Sequence, residues 1–138
     1  MITVQSAINA SIEKVWDLWT IPKHIMKWNN ASEDWHTSFA ENDLKAGGKF
    51  KYTMASKDGA MSFDFEGTYT DVKHHSLIEY ILADDRKVKI TFEIMSNGVV
   101  LTEQFDPETE NPEALQQQGW QSILDNFKKY VENSTLKN

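Results

Sequence analysis

The sequence contains no cysteine, which excludes disulfide bonds, thiolate zinc sites and a cysteine nucleophile. With three prolines and six glycines in 138 residues, it also lacks a proline-rich or glycine-rich tract that could serve as a linker. No apolar run approaches the length of a membrane span. We therefore expect one globular domain over residues 1–138, with its core at about 2–132, and no membrane insertion.

Basic residues are also scarce. The chain has 14 Lys and Arg against 21 Asp and Glu, which gives a net charge of -7. Binding to a phosphate backbone needs clustered positive charge, so the composition argues against nucleic acid as a partner. Met1 is followed directly by strand-like residues, without a basic and apolar leader, so we expect no signal peptide and a cytoplasmic location.

Aromatic residues, by contrast, are abundant: five Trp, four Tyr and seven Phe. Large rings supply much of the buried area of a small core. They also form good walls for an apolar pocket. Composition alone does not decide between these uses.

The first part of the chain predicts one strand and two short helices. Residues 2–8 alternate as a strand, and Ser11 can then cap a helix whose apolar residues recur at helical spacing. Pro22 cannot donate a backbone hydrogen bond, so it ends this helix or starts another over residues 22–28.

From Trp35 to about Pro107 the apolar period changes to two. Such alternation is typical of antiparallel strands with one buried and one solvated face. Turn signals separate the strands at Gly47-Gly48, Lys57-Asp58-Gly59, Asp84-Asp85-Arg86 and Asn97-Gly98, the last being the strongest hairpin signal.

A long helix is predicted at the end of the chain. Asn111 is a suitable cap with Pro112 at the first helical position, and the helix should run to about Glu132. Its buried stripe is predicted to contain residues four apart, with three further apolar residues flanking them. The stripe residues are Leu115, Gly119, Ile123 and Phe127, and the flanking residues are Trp120, Leu124 and Val131. The element order therefore predicts an α+β fold, in which a curved antiparallel sheet of about six or seven strands surrounds this helix.

The widths of these elements predict a cavity. Six strands at roughly 4.8 Å spacing exceed 20 Å, whereas one helix is only about 10–12 Å across. The sheet must curl, and a space remains that side chains or a ligand can fill. Gly67 in mid-strand indicates a bend or a close approach. Gly119 in mid-helix indicates either close contact with the sheet or open space.

Inward-facing residues of these elements are the predicted cavity lining, and they are mostly aromatic. They are Trp16, Trp19, Trp28, Phe50, Tyr52, Phe63, Phe65, Tyr69, Tyr80, Phe92, Glu103, Gly119, Trp120, Ile123 and Phe127. We predict no catalytic residue, no metal ligand and no cofactor site.

Glu103 is the unusual member of this set, because it shares a strand face with Val99, Leu101 and Phe105. If that face is inward, the carboxyl group is a polar anchor for a ligand or a proton-transfer group with a raised pKa. Alternatively, Glu103 lies at an open rim, or a bulge turns it toward water.

An ordered set of short segments resembles a known family. The set comprises Trp16, Trp35, Leu44-Lys45-Ala46-Gly47-Gly48-Lys49-Phe50, Phe65-Glu66-Gly67-Thr68-Tyr69, Asp84-Asp85-Arg86-Lys87-Val88 and Gly119-Trp120. It resembles the homologues of the activator of the 90-kDa heat-shock-protein ATPase, in the START-like (SRPBCC) superfamily that includes the birch-pollen allergen and polyketide cyclases. The resemblance covers roughly residues 2–132.

This resemblance implies the helix-grip fold with a deep cavity between the sheet and the C-terminal helix. The first functional hypothesis is therefore binding of an apolar or aromatic small molecule, lipid-like or polycyclic, by a monomer or weak homodimer. Two alternatives stay open. One is a co-chaperone or stress-related interaction module with a chaperone as partner, and the other is a cyclase-type or hydrolase-type enzyme that uses Glu103 as acid or base.

Overall fold

The computed structural model describes residues 1–134, so the last four residues of the expected 1–138 domain lie outside the described residues. The elements follow the predicted order. They are β1 (Ile2–Ile8), α1 (Ile12–Thr20), α2 (Pro22–Trp28), β2 (Trp35–Asn42), β3 (Lys49–Ser56), β4 (Ser62–Lys73), β5 (Leu77–Leu82), β6 (Lys87–Met95), β7 (Gly98–Phe105) and α3 (Glu113–Asn133).

The two short helices begin where their capping signals predict. The Ser11 side chain accepts a hydrogen bond from the Lys14 amide, and Glu13 lies in the positively polarised first turn of α1. Pro22 occupies the start of α2, where no backbone donor is needed. These local signals set where the helices begin, and α2 packs against β2 and α1.

All seven strands form one antiparallel sheet in the order β1-β7-β6-β5-β4-β3-β2. The first strand therefore lies beside the last, and β2 forms the opposite edge. The register shifts between Thr37 and Phe39, and again between Tyr69 and Asp71. Bulges of this kind bend strands and increase twist, which helps the sheet to curl. The predicted helix-grip α+β fold is confirmed.

The hairpin between β6 and β7 differs by one residue from the prediction. Met95 already pairs with Gly98, so Ser96 and Asn97 are the two turn residues. Gly98 has a φ of 146°, a conformation that favours glycine. The turn signal was correct, but its glycine begins the next strand.

The start of α3 also differs from the prediction. Pro112, not Asn111, is the capping residue, and no side chain caps the helix. Gln116 is buried instead, and its Nε2 donates to the carbonyl oxygens of Glu108 and Asn111. Leu115 is 54% exposed, so Gln116 takes its place as the first buried residue of the helix. The buried positions are Gln116, Leu124, Phe127 and Val131.

Helix α3 leans toward one side of the concave sheet. It packs mainly against β1, with further contacts to α2 and α1. Among the described residues, β3 and β4 make no comparable contact with the helix. The core is consequently dense beside β1 and β7, and a gap is left in front of β3, β4 and β5.

Gly67 marks a close approach between strands. A Cβ atom there would lie 2.7 Å from the Ile81 carbonyl oxygen and 2.9 Å from Cε2 of Phe50. The Phe50 ring is buried against this position. At Gly119 a Cβ atom would meet nothing within 4 Å, so the open-space interpretation of that glycine holds.

These two glycines should respond in opposite directions to alanine. We expect Gly67→Ala to destabilise the protein by about 1–3 kcal/mol, because backbone and ring must shift. Gly119→Ala should stabilise it by up to about 1 kcal/mol through helix propensity. Urea denaturation of both variants measures the difference, and equal effects would contradict this account of Gly67.

Candidate ligand cavity

A cavity of about 260 Å³ occupies the gap between the sheet and α3. Most of the predicted residues line it: Trp19, Trp28, Tyr52, Phe63, Phe65, Tyr69, Tyr80, Glu103, Trp120 and Ile123. Further lining residues are Thr20, Asn29, Asn42, Met54, Ile78, Arg86 and Ile90. The cavity is thus largely apolar, with its polar groups at a few positions.

Stacked tryptophans of the short helices form one wall. The Trp19 and Trp28 rings are stacked with centroids 4.6 Å apart. The Trp28 indole nitrogen donates to the Leu18 carbonyl oxygen at 2.8 Å, which fixes that ring. Phe127 of α3 contacts both tryptophans edge-on at 4.8 Å from behind. These contacts hold the two tryptophan rings in place at the edge of the cavity.

Trp120 forms the helix side of the cavity. Its ring stacks on Phe105 of β7 with centroids 3.8 Å apart, and Phe65 of β4 meets it edge-on at 6.1 Å. The contact with Phe65 bridges the gap between helix and sheet. Trp120 is therefore held in place by the core on one side and presents its other side to the cavity.

Five residues of the predicted lining do not line the cavity: Trp16, Phe50, Phe92, Gly119 and Phe127. Trp16 packs on Phe92 at 5.1 Å, and Phe127 backs the tryptophan wall. Phe50 lies behind Tyr80, with their ring centroids 4.7 Å apart. A period-two or period-four pattern identifies which residues are buried. It does not tell which of these buried residues border the cavity and which pack behind them.

The cavity opens between the β3–β4 hairpin and α3. Phe63 is 50% exposed there, and Met54 and Ile123 are half-buried on either side. Trp35 supports the Phe63 ring at a centroid distance of 5.9 Å. An apolar molecule would meet an apolar rim at this mouth.

Glu103 faces inward. It is 4% exposed, and its backbone lies between Val4 of β1 and Ile90 of β6. The strand is regular here, so neither the rim nor the bulge alternative applies. Among the described residues no side chain forms a hydrogen bond with its carboxyl group. Burial raises the pKa of this carboxyl from 4.5 to about 8, so it is mostly protonated at neutral pH.

Three tyrosine hydroxyls form a polar cluster near Glu103. The Tyr69 hydroxyl donates to the side-chain oxygen of Asn42, whose amide donates to the Thr20 carbonyl oxygen at 2.8 Å. The Tyr52 hydroxyl lies in the same cluster, and burial raises its pKa. Burial raises the pKa of Tyr80, and the nearby Glu103 raises it further. All these hydroxyls therefore stay protonated at neutral pH.

Arg86 also lines the cavity, although the sequence predicted it as a turn residue. It lies in the predicted turn after β5, and its Nε donates to the Asp84 carboxylate at 2.7 Å. Its side chain also lines the cavity and lowers the pKa of Tyr80 electrostatically. Alternation in phase with Tyr80 on β5 could have identified Ile78, and alternation in phase with Phe92 on β6 could have identified Ile90. A turn residue such as Arg86 carries no such signal.

The described part of the chain, residues 1–134, contains neither a metal-binding cluster nor a membrane-spanning helix. No group of three or more His, Asp or Glu side chains within that range is arranged to hold a metal ion. None of the helices in it has the length and apolarity needed to cross a membrane.

Comparisons with known proteins agree with this geometry. Residues 9–132 match the family described as Activator of Hsp90 ATPase homolog 1-like protein. The chain is also similar to solved structures. The AHSA1-like protein from Aeromonas hydrophila is 42% identical, with 99% of this chain and 97% of that one covered and a TM-score of 0.92. Chr148 from Cytophaga hutchinsonii is 56% identical, with 96% and 92% covered and a TM-score of 0.83.

A more distant structure shows the fold alone. CV1439 from Chromobacterium violaceum is 23% identical, with 96% and 98% covered and a TM-score of 0.85. Comparison with curated proteins gives no match. The family match spans most of the chain and agrees with the observed helix-grip fold, so this chain belongs to the Activator of Hsp90 ATPase homolog 1-like family of the START-like superfamily.

Proposed function

We propose that this protein binds a small apolar or aromatic molecule in the cavity between its sheet and α3. The observation that carries the proposal is a void of about 260 Å³ beside a core that is otherwise closely packed. Protein interiors contain few voids larger than a water molecule. An apolar void of this size is costly to stability unless it serves a ligand.

The size of the void limits the ligand. An apolar cavity of about 150 Å³ holds benzene, and pockets for drug-sized ligands begin at about 300 Å³. A volume of about 260 Å³ lies between these values. The ligand is therefore of the size of one or two fused rings, and a longer chain would protrude through the mouth beside Phe63.

Tryptophan fluorescence provides a direct test, because Trp19, Trp28 and Trp120 all line the cavity. A compact two-ring aromatic such as ethylnaphthalene should change the emission saturably, and native mass spectrometry should show one bound molecule. If neither measurement detects binding, this proposal is wrong.

A matched pair of variants tests the location of the site. Ile123→Trp places a large ring at the mouth, and we expect it to weaken ligand binding at least about tenfold by filling the void. Ile94→Trp makes the same change at a residue that is 65% exposed and outside the cavity lining, so it should bind like wild type. Equal affinities of the two variants would place the ligand elsewhere.

A second candidate function is acid–base catalysis by Glu103, because its pKa of about 8 is close to the working pH of a cell. However, Glu103 is the only carboxyl group in the cavity lining among the described residues, and no histidine accompanies it. A chaperone as partner is supported by the family match alone. Ligand binding therefore ranks first. Turnover of a bound ketone with proton exchange at its α-carbon in D₂O, lost in Glu103→Gln, would favour catalysis instead.

A further inference from the structure

The polar end of the cavity contains two hydrogen-bond donors that the protein does not use. We propose, on the basis of the proposed function, that the cavity selects aromatic ligands with a carbonyl oxygen, and that Glu103 and Tyr80 both donate to that oxygen. The inference names the chemical class of the ligand and the residues that would recognise it.

The sheet register brings these two groups together. Glu103 of β7 is the partner of Ile90 in β6, and Ile90 is the partner of Ile78 in β5. Tyr80 lies two residues after Ile78 on the same face of β5, because side chains alternate along a strand. The two polar groups interact electrostatically across the face of β6. Their side chains therefore converge on one region of the cavity.

Both groups are unpaired, in contrast to their neighbours. The neighbouring Tyr69 hydroxyl, by comparison, donates to the side-chain oxygen of Asn42. Within residues 1–134, neither the Glu103 carboxyl nor the Tyr80 hydroxyl has a side-chain hydrogen-bond partner. Both groups line the cavity, so a ligand oxygen that accepts from both donors would gain two hydrogen bonds.

The surrounding groups favour the protonated carboxyl. Toward Glu103 the cavity presents Tyr80 from β5 and Tyr52 from β3, and Arg86 lies beyond Tyr80. β1, β6, α1, α2 and α3 present apolar or aromatic side chains: Val4, Ile90, Trp19, Trp28, Trp120 and Ile123. With no histidine or second carboxyl in this lining, burial keeps the proton on Glu103 and makes it a donor.

The same surroundings disfavour an amine. A protonated amine would need an ionised Glu103, and its positive charge would share the cavity with the Arg86 guanidinium. A carbonyl oxygen instead accepts hydrogen bonds from neutral donors and gains from the positive charge of Arg86. A pair formed by a neutral carboxyl and a tyrosine hydroxyl is a known means of binding a carbonyl or enolate oxygen in an apolar site.

Three probes with the same aromatic body test the inference: methyl naphthyl ketone, ethylnaphthalene and naphthylethylamine. Their affinities are measured by isothermal titration calorimetry on the full chain at pH 7. We expect the ketone to bind about 30-fold more tightly than the hydrocarbon, from two hydrogen bonds of about 1 kcal/mol each. The amine should bind most weakly.

The pH dependence and two variants identify the donors. Ketone affinity should fall about tenfold between pH 7 and pH 9, as Glu103 ionises, while hydrocarbon affinity stays constant. Glu103→Gln keeps an N–H donor, so it should bind the ketone without this pH dependence. Tyr80→Phe should lose about fivefold in ketone affinity alone. Glu93→Gln, at an exposed position of β6, should behave like wild type.

The outcomes separate this inference from the proposed function. If hydrocarbon and ketone bind equally at every pH, the cavity binds apolar molecules but the carbonyl inference is overturned. Preference for the amine also overturns it. If none of the probes binds, both proposals are wrong. NMR titration of the Glu103 carboxyl carbon gives a check without variants, because bound ketone should raise its pKa further.

Discussion

The free energy of unfolding of the Glu103→Gln variant, measured relative to that of the wild-type protein, is expected to increase as the pH rises from about 5 to about 8. The reason is that burial raises the pKa of Glu103 from 4.5 to about 8 in the folded chain. In the unfolded chain the carboxyl titrates near its ordinary value. The glutamine side chain has nearly the same shape and does not titrate.

The sign follows from the number of bound protons. Between pH 4.5 and about 8 the folded wild type holds a proton that the unfolded chain releases. Its free energy of unfolding therefore falls as the pH rises, at up to about 1.4 kcal/mol per pH unit. The contribution of this proton to the free energy of unfolding is fully present below pH 4.5. It is lost as the pH rises from there through the folded-state pKa. Across this range the wild type should lose about 3–5 kcal/mol that the variant keeps.

Urea denaturation of both proteins at a series of pH values measures this difference. His24 also has a shifted pKa, lowered mainly by burial, but it is present in both proteins and cancels in the comparison. Glu93→Gln removes an exposed carboxylate from β6 and should follow the wild-type curve. Parallel curves for wild type and Glu103→Gln would show that the Glu103 carboxyl is hydrated and ionised in the folded protein.

Local signals in the sequence predicted most of the fold. Ser11 and Pro22 mark the helix starts, and the alternation of apolar residues marks the strands, because both depend on neighbouring residues alone. The burial of Gln116 in the first turn of α3 instead accompanies its hydrogen bonds to the preceding loop. The periodicity predicts that Leu115 is buried. It does not include the contacts between the preceding loop and the first turn of the helix.

The candidate site was predictable to a similar extent. Period-two alternation on β7 put Glu103 on one face with Leu101 and Phe105 but left open whether it lies inward, and the width of the sheet predicted a gap beside one helix. Which rings border that gap was not predictable, since Phe50 and Tyr80 share a buried face and only Tyr80 reaches the void. That distinction depends on the lean of α3 toward β1, which is a property of the assembled core.

The pattern of buried and exposed residues along α3 predicts a second large effect, on the free energy of unfolding. Leu124 is 0% exposed on the helix face that packs into the core, and Leu115 on the same helix is 54% exposed. Leu124→Ala should lower the free energy of unfolding by about 3–5 kcal/mol, because the removed atoms leave a cavity that the surrounding rings cannot fill. Leu115→Ala should change it by less than about 0.5 kcal/mol.

Urea denaturation at one pH measures both variants with the same substitution on the same helix. The original periodicity, with Leu115 in the stripe, predicts a substantial loss for Leu115→Ala. A loss of more than about 2 kcal/mol in that variant would therefore show that Leu115 is buried, as the periodicity predicts. Trp120 and Ile123 would then lie differently relative to the cavity. A large loss in the free energy of unfolding for Leu124→Ala alone supports the observed structure. In that structure Leu124 packs into the core and Trp120 borders the cavity.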